Sequence, residues 1–355
     1  MSSTGGFAPA THGPYPPTNA GSGLTPSPIP DIPVVSVLIP LFFIAGVTHL
    51  ITFFINQRAH TPARPRKFLF SLLLMGFSIT RIAALSLRLA WARDRFNVDL
   101  AIAAGVLTNA GVLLVFVVNL ILAARVLQGC LPSVGWSRRA WWALRGGIGT
   151  VVAVLVMVVV CNVHTLFTLD PVTRRREREV LLFAGVYMAV LAALPAVGMT
   201  VLFAVMGRGG GKRWEGVDMF GTGKMTTKML MLTGTSLLLT IGAGFRCGVN
   251  FAARPTDNPG WWHGKGPFYA FNFAIELIVT YTYIILRFDR RFCVPDGCSG
   301  PGDFTRVIRQ QQQQEERADE TEASESGAKE KRLEGAESRD GIGREGEGEA
   351  EGGKR

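Results

Sequence analysis

Metal-ligand spacing is missing from this sequence. Its five cysteines, Cys130, Cys161, Cys247, Cys293 and Cys298, form no zinc-type pattern. CVPDGC has four residues between its two, and no second pair accompanies it. Chain length and composition exclude a small disulfide scaffold. The histidines are scattered, with His49 and His164 in different apolar segments, His60 and His263 in connections and His12 near the start. None pairs at helical i, i+4 spacing, so a helix-borne metal site is not expected. Gly-x-Ser-x-Gly is absent as well. FGTGKMTTK (220–228) is similar to a phosphate-binding loop, but Asp218 stands where the first glycine belongs and Met225 where Ser or Thr follows the lysine. The expectation is no enzyme, no metal and no cofactor, with 220–228 a flexible turn.

Charge is the next scarcity. Hydrophobic residues make up 48% of the chain and mean hydropathy is +0.26, too apolar for an ordinary soluble domain. Seven stretches are nearly free of charge: 34–55, 68–91, 100–124, 146–168, 180–206, 229–251 and 268–287. Each is long enough to cross a bilayer. The runs are continuous rather than alternating, which excludes a β-barrel and predicts helices. The expected fold is all-α, a seven-transmembrane-helix bundle over residues 34–292.

Both tails lack what a core needs. Residues 1–33 are rich in Pro, Gly, Ser and Thr and have neither a basic n-region nor an apolar h-region. They are expected to be a disordered tail, with insertion relying on the first span. Residues 293–355 are expected to be a cytosolic, low-complexity, disordered tail, almost without large apolar side chains beyond Phe304. It is a candidate for phosphorylation or for contact with a cytosolic partner. Palmitoylation is open to Cys293 and Cys298, plain free thiols being the alternative.

Residues 306–355 hold 10 of the 37 basic and 14 of the 27 acidic residues, a net −4 against +14 for the rest. The excess positive charge therefore sits in the connections, where anionic lipid headgroups rather than nucleic acid are the expected partner. Sixteen basic residues lie on one side of the array and eight on the other. The bias places the amino terminus outside or in a lumen and the carboxyl terminus in the cytosol, in a plasma membrane or endomembrane. RRRERE (174–179) runs against it, with four arginines on the translocated side. Trp91, Trp141, Trp142, Trp261 and Trp262 stand at span ends, where indoles favour the interface.

Apart from Arg287 at the exit of the seventh, four ionisable Asp, Glu, Lys or Arg residues fall within the spans: Arg81, Arg88, Arg246 and Glu276. A charge at the centre of a membrane helix costs about 2.5–3.5 kcal/mol, so such groups face the bundle interior or water and pair. From the helical rise, Arg246 lies roughly 8 Å, Glu276 roughly 12 Å and Arg81 roughly 15 Å below the outer edge. Asn109 falls at a similar depth. The expectation is a polar centre built by Glu276, Arg81, Arg246 and Asn109. It would be either an ion network that fixes packing or a ligand or ion pocket open outward. Arg88, near the edge, is expected to snorkel. Gly244 and Gly248, with Gly234 and Gly242 nearby, predict close helix approach in the sixth span.

Two blocks carry a resemblance. They are ALSLRLAWARDRFNVDLAIAAGVLTNAGVLLVFVVNLILAARVL and FGTGKMTTKML…FRCGVN…WWHGKGPFYAFNFAIELIVTYTYIILRFDRRFCVPDG. They resemble a family of filamentous-fungal multi-span membrane proteins catalogued as a domain of unknown function. The likeness covers about residues 34–305. It implies a fungal source and an integral membrane protein, and it assigns no activity and no site residues.

Three roles fit. A receptor-like or sensor protein suits the outside amino terminus and seven spans. The third span lacks an Asp-Arg-Tyr-like triplet, and the seventh lacks Asn-Pro-x-x-Tyr and a lysine for retinal. A transporter or lipid-handling protein would use the polar layer, but no internal repeat is evident. A structural or adaptor protein is the third. A polar cavity open to one face would favour ligand binding, a tunnel to both faces transport, and a dry, fully paired layer mere packing. The receptor-like role is preferred, with its ligand unknown.

Overall fold

A computed structural model describes residues 14–15, 19–58, 68–94, 97–208, 214, 216–294, 298–310, 312–314, 317, 320, 321 and 327. Among the described residues, seven helices are long and apolar enough to cross a bilayer. They are α1 (Pro28–Arg58), α2 (Phe70–Arg93), α3 (Val98–Cys130), α4 (Arg138–Phe167), α5 (Pro171–Arg208), α6 (Met225–Phe251) and α7 (Lys265–Ile285). Among the described residues no strand forms, only an isolated bridge between Asn19 and Pro255. The architecture is that of an all-helical integral membrane protein.

Helix starts follow local chemistry. The side-chain oxygen of Asn97 accepts the Leu100 amide (3.2 Å) at the head of α3, and Ser137 accepts the Ala140 amide (3.2 Å) before α4. Asp170 accepts the amides of Val172 and Thr173 at 3.3 and 3.0 Å, with Pro171 opening α5. α7 is irregular. It opens with Lys265–Tyr269, passes through one π turn at Ala270–Ala274 and resumes as Ile275–Ile285.

α1 packs along α2, α2 along α3 and α5 along α6. α3 and α6 form the centre. α4 is peripheral, with Val151 and Val154 as its buried residues. Large apolar side chains such as Phe43, Val160 and Phe183 point outward, as a hydrocarbon solvent permits. Inside the bundle, association rests on close packing and on polar contacts between helices.

Seven crossings put the amino-terminal segment at one end and the carboxyl-terminal segment at the other. At the first end the Ala20 amide donates to Arg254 (2.8 Å) and the Gly23 amide to His263 (2.9 Å). At the second, the Asp218 amide donates to Gly129 (2.9 Å), Thr222 to Arg290 (2.9 Å) and Arg125 to Phe292 (2.8 Å).

Several sequence expectations change. Residues 19–33 are not a free tail, because backbone bonds tie 20–23 to the 252–264 connection and α1 already begins at Pro28. The expected disorder of residues 1–13 and 16–18, and of most of the chain beyond 310, lies outside the described residues. RRRERE is helical, forming the first turns of α5, and Glu177 accepts from Thr165 of α4 at 2.7 Å. Residues 298–310 are likewise docked, with Phe304 buried between Trp136 and Phe220.

The 220–224 stretch is a pinned turn rather than a flexible one. Phe220 is fully buried, and a Cβ on Gly221 (φ 55°) would come within 2.3 Å of the Arg291 carbonyl. The close approach of α6 uses Gly242 rather than Gly244, Gly248 or Gly234. A Cβ on Gly242 would lie 2.9 Å from the Phe271 carbonyl, whereas the other three meet nothing within 4 Å.

Candidate ligand cavity and its charged wall

Glu276 sits at the centre of the bundle, 1% exposed. Arg81 of α2 reaches it with Nε at 2.5 Å from Oε2 and Nη2 at 2.9 Å from Oε1, a forked pair. The remaining Arg81 nitrogen, Nη1, donates to the carbonyls of Thr108 (2.7 Å) and Leu107 (3.3 Å) on α3. Gly111 makes room for this arrangement, since a Cβ there would fall 3.3 Å from the guanidinium carbon. Nη1 and Nη2 of Arg81 are thus hydrogen-bonded, while its Nε and Glu276 Oε2 meet as an ion contact outside hydrogen-bond geometry.

Arg246 of α6 is held more loosely. Its Nη1 donates to Glu276 Oε1 at 3.2 Å and to Asn272 Oδ1 at 3.4 Å. Among the described residues no acceptor faces its Nε or Nη2, and its side chain is 14% exposed. Asn272 is buried in the π turn of α7, four residues before Glu276, and donates to the Phe268 carbonyl (2.8 Å). A π turn widens the helix locally and is frequent at functional sites.

Of the four residues expected to share one polar centre, the structure brings Arg81, Arg246 and Glu276 together. Asn109 stands apart. Its amide donates to the Gly105 carbonyl at 3.1 Å within α3, and its side chain is exposed on a cavity wall. Arg88 does not snorkel. It is 5% exposed, its Nε pairs with Asp31 Oδ1 at 3.1 Å and meets the Tyr269 hydroxyl at 3.1 Å, and Nη2 donates to the Gly23 carbonyl at 2.6 Å. Its guanidinium lies 4.3 Å over the Phe268 ring. Asp31 also pairs with Lys265 at 2.5 Å and is fully buried. Asp31, assigned by sequence to the tail, is the carboxylate that makes a buried Arg88 tolerable.

Both clusters border one cavity of about 470 Å³ between α3, α4, α5, α6 and the start of α7, roofed by residues 19–22. Among the described residues, the charged ones on its wall are Arg88, Arg178 and Arg246, none of them Asp or Glu; Asn19, Asn109, Asn162, Asn250 and Asn272 add polar groups. Val112, Leu113, Phe116 and Met188 form an apolar side. The volume is that of a small-molecule site.

Beyond the cavity, toward the carboxyl-terminal end, lies a buried, hydrogen-bonded layer. Asn119 donates to Ser236 at 3.0 Å, and the Tyr283 hydroxyl donates to the Asn119 side-chain oxygen and lies 3.2 Å from the Thr235 hydroxyl. All four are at most 1% exposed. The cavity lining does not extend to this layer. Among the described residues no cluster of three or more His, Cys, Asp or Glu is arranged to hold a metal ion.

Residues 208–293 match a family described as "Protein of unknown function (DUF3112)". The match contains Arg246, Cys247, Asn272 and Glu276. It leaves out Arg81, Arg88 and the first of the two resembling blocks, and is shorter than the span 34–305 over which the resemblance was read. No curated protein and no solved structure matches the chain.

Proposed function

We propose that this is a receptor-like, seven-helix membrane protein that detects a small molecule through the cavity at its amino-terminal end. That end faces the outside of the cell or a lumen, a reading supported by the two-to-one excess of basic residues at the opposite end. The observation that carries the proposal is a polar-walled cavity whose lining stays toward the amino-terminal end of the bundle and does not reach the buried Asn119–Tyr283–Thr235–Ser236 layer. A carrier needs a site that opens alternately to both faces, and this layer is buried and hydrogen-bonded across the bundle.

The opposite end supplies a means of output. Residues 298–310 are docked on the connection between α5 and α6, and both of these helices wall the cavity. A shift of either helix on ligand binding reaches that segment, and through it a cytosolic partner of the carboxyl-terminal tail. The reading assigns the protein no catalytic step.

Cys247 lines the cavity and is half-buried. The test uses full-length protein with its other four cysteines replaced by serine, in sealed vesicles of known orientation. A membrane-impermeant methanethiosulfonate is expected to label Cys247 from the amino-terminal side alone. Labelling from both sides would favour a carrier, and labelling only after denaturation would remove the cavity reading.

A further inference from the structure

The charges around the cavity do not balance. Arg81 and Arg246 share one carboxylate, Glu276. Arg88 and Lys265 share another, Asp31. Each cluster holds two cations to one anion. An arginine cannot shed its proton to relieve this, because the guanidinium stays charged at any ordinary pH. An uncompensated charge within a membrane slab is costly unless water or a counter-ion reaches it.

The excess is directed to one place. Arg81 is fully buried and spends its contacts on Glu276 and two carbonyls, so the surplus of the first cluster falls on Arg246, which is partly exposed and lines the cavity. Arg88 brings the second cluster to the same wall, and among the described residues no carboxylate lines the cavity. A bare inorganic ion would leave the Val112, Leu113 and Phe116 side without a partner. An apolar molecule would leave the arginines without one. We infer that the cavity takes an amphiphile with a single anionic head, a carboxylate or phosphate ester, seated against Arg246 with its apolar body along α3. This rests on the receptor-like reading of the cavity.

Cys247 reports on it directly. In the single-cysteine protein, an anionic sulfonatoethyl reagent is expected to react faster than a cationic trimethylammonium reagent, each normalised to a free thiol, by about tenfold, as a cleft of one charge sign produces. Dodecanoate should then slow labelling by about tenfold where dodecanol and dodecyltrimethylammonium do not. Arg246→Gln should abolish that protection, and Arg246→Lys should retain part of it.

Hexanoate added from the aqueous side separates the sources. Protection equal to that by dodecanoate supports a water-soluble organic anion, and protection by dodecanoate alone supports a membrane lipid. Dodecanol protecting as well as dodecanoate, or dodecanoate protection that survives Arg246→Gln, would overturn the anionic head while leaving a ligand cavity. Failure of Cys247 to label in folded protein would instead overturn the cavity itself.

Discussion

Arg81 and Glu276, 195 positions apart in the chain, meet in the bundle interior as a forked ion pair whose closest contact is 2.5 Å. Arg246 approaches the same carboxylate through a single nitrogen at 3.2 Å. The two arginines are therefore not equivalent. Arg81 is consumed by the fold, linking α2 to α3 and α7. Arg246 is tied to the same acid but turned toward open space.

Opposite effects on stability follow. Glu276→Gln leaves the buried Arg81 and the partly buried Arg246 without their acid and is expected to cost about 3–5 kcal/mol, the usual penalty for stranding a buried charge. Arg246→Gln removes the surplus cation and should leave the ligand-free protein unchanged or more stable. Combined with Glu276→Gln it should recover part of that loss. Thermal unfolding of the purified protein, compared across the four members of this cycle, measures all of these effects. Equal losses from both single variants would show that Arg246 is structural in the way Arg81 is.

The glycines of α6 give a second contrast. A methyl group at position 242 would press on the Phe271 carbonyl at 2.9 Å, backbone against which nothing flexible can yield. Gly242→Ala is expected to cost about 1–3 kcal/mol, the range for overpacking. Gly244→Ala and Gly248→Ala meet open space and should be neutral or slightly stabilising through helix propensity. The same unfolding measurement reads both, and a loss at Gly248 equal to that at Gly242 would point to an interface outside this bundle.

The spans were legible because hydrocarbon admits nothing but continuous apolar helix. Their ends were less so, because tertiary contacts hold them. α1 begins at Pro28 where Asp31 is buried against Arg88 and Lys265, yet an acid among prolines reads as tail. RRRERE reads as a loop until Glu177 finds Thr165.

Depth along a helix could be counted from sequence, and it placed Arg81, Arg246 and Glu276 in one layer. Azimuth could not. Asn109 follows Thr108, whose carbonyl receives Arg81, but one residue turns the side chain by about 100°. That step carries Asn109 from the ion pair to the cavity wall. Asn272 was recoverable, since i, i+4 spacing puts it on the same face as Glu276.

His263 links the roof of the cavity to pH. It lies in the turn before α7, fully buried, and its carbonyl accepts the Gly23 amide at 2.9 Å. Burial holds its pKa below the ordinary 6.5, and the nearby Arg254 adds to the effect. The unfolded turn therefore takes up a proton first as pH falls. The contribution of His263 is intact above about 6.5 and is lost as pH drops toward the lowered folded-state value. Hydrogen exchange at the Gly23 amide, corrected for its intrinsic pH dependence, should rise between about pH 7.5 and about pH 5.5. His263→Phe should flatten that rise, and an unchanged rise would assign it to another group.

Asp218 fastens the carboxyl-terminal segment. Its Oδ1 accepts the Thr305 amide at 2.7 Å and hydroxyl at 2.6 Å, and Oδ2 accepts the Phe304 amide at 3.3 Å. It thereby caps, from another part of the chain, the helix that starts at 303. Losing a cap costs about 0.5–2 kcal/mol, enough to raise local opening by roughly tenfold while the bundle stays intact. Asp218→Ala should expose 298–310 to protease and to hydrogen exchange without moving the midpoint of the membrane domain. Asp218→Asn keeps one acceptor oxygen and should release less. Phe304→Ala should add to the effect, because its ring, 5.2 Å from Phe220 and 5.6 Å from Trp136, anchors the segment through contacts other than the cap. If ligand in the cavity moves α5 or α6, occupancy should change protection of 298–310 in the wild type and leave it unchanged once Asp218→Ala has already released the segment. A segment that stays protected in Asp218→Ala/Phe304→Ala would show that neither contact holds it.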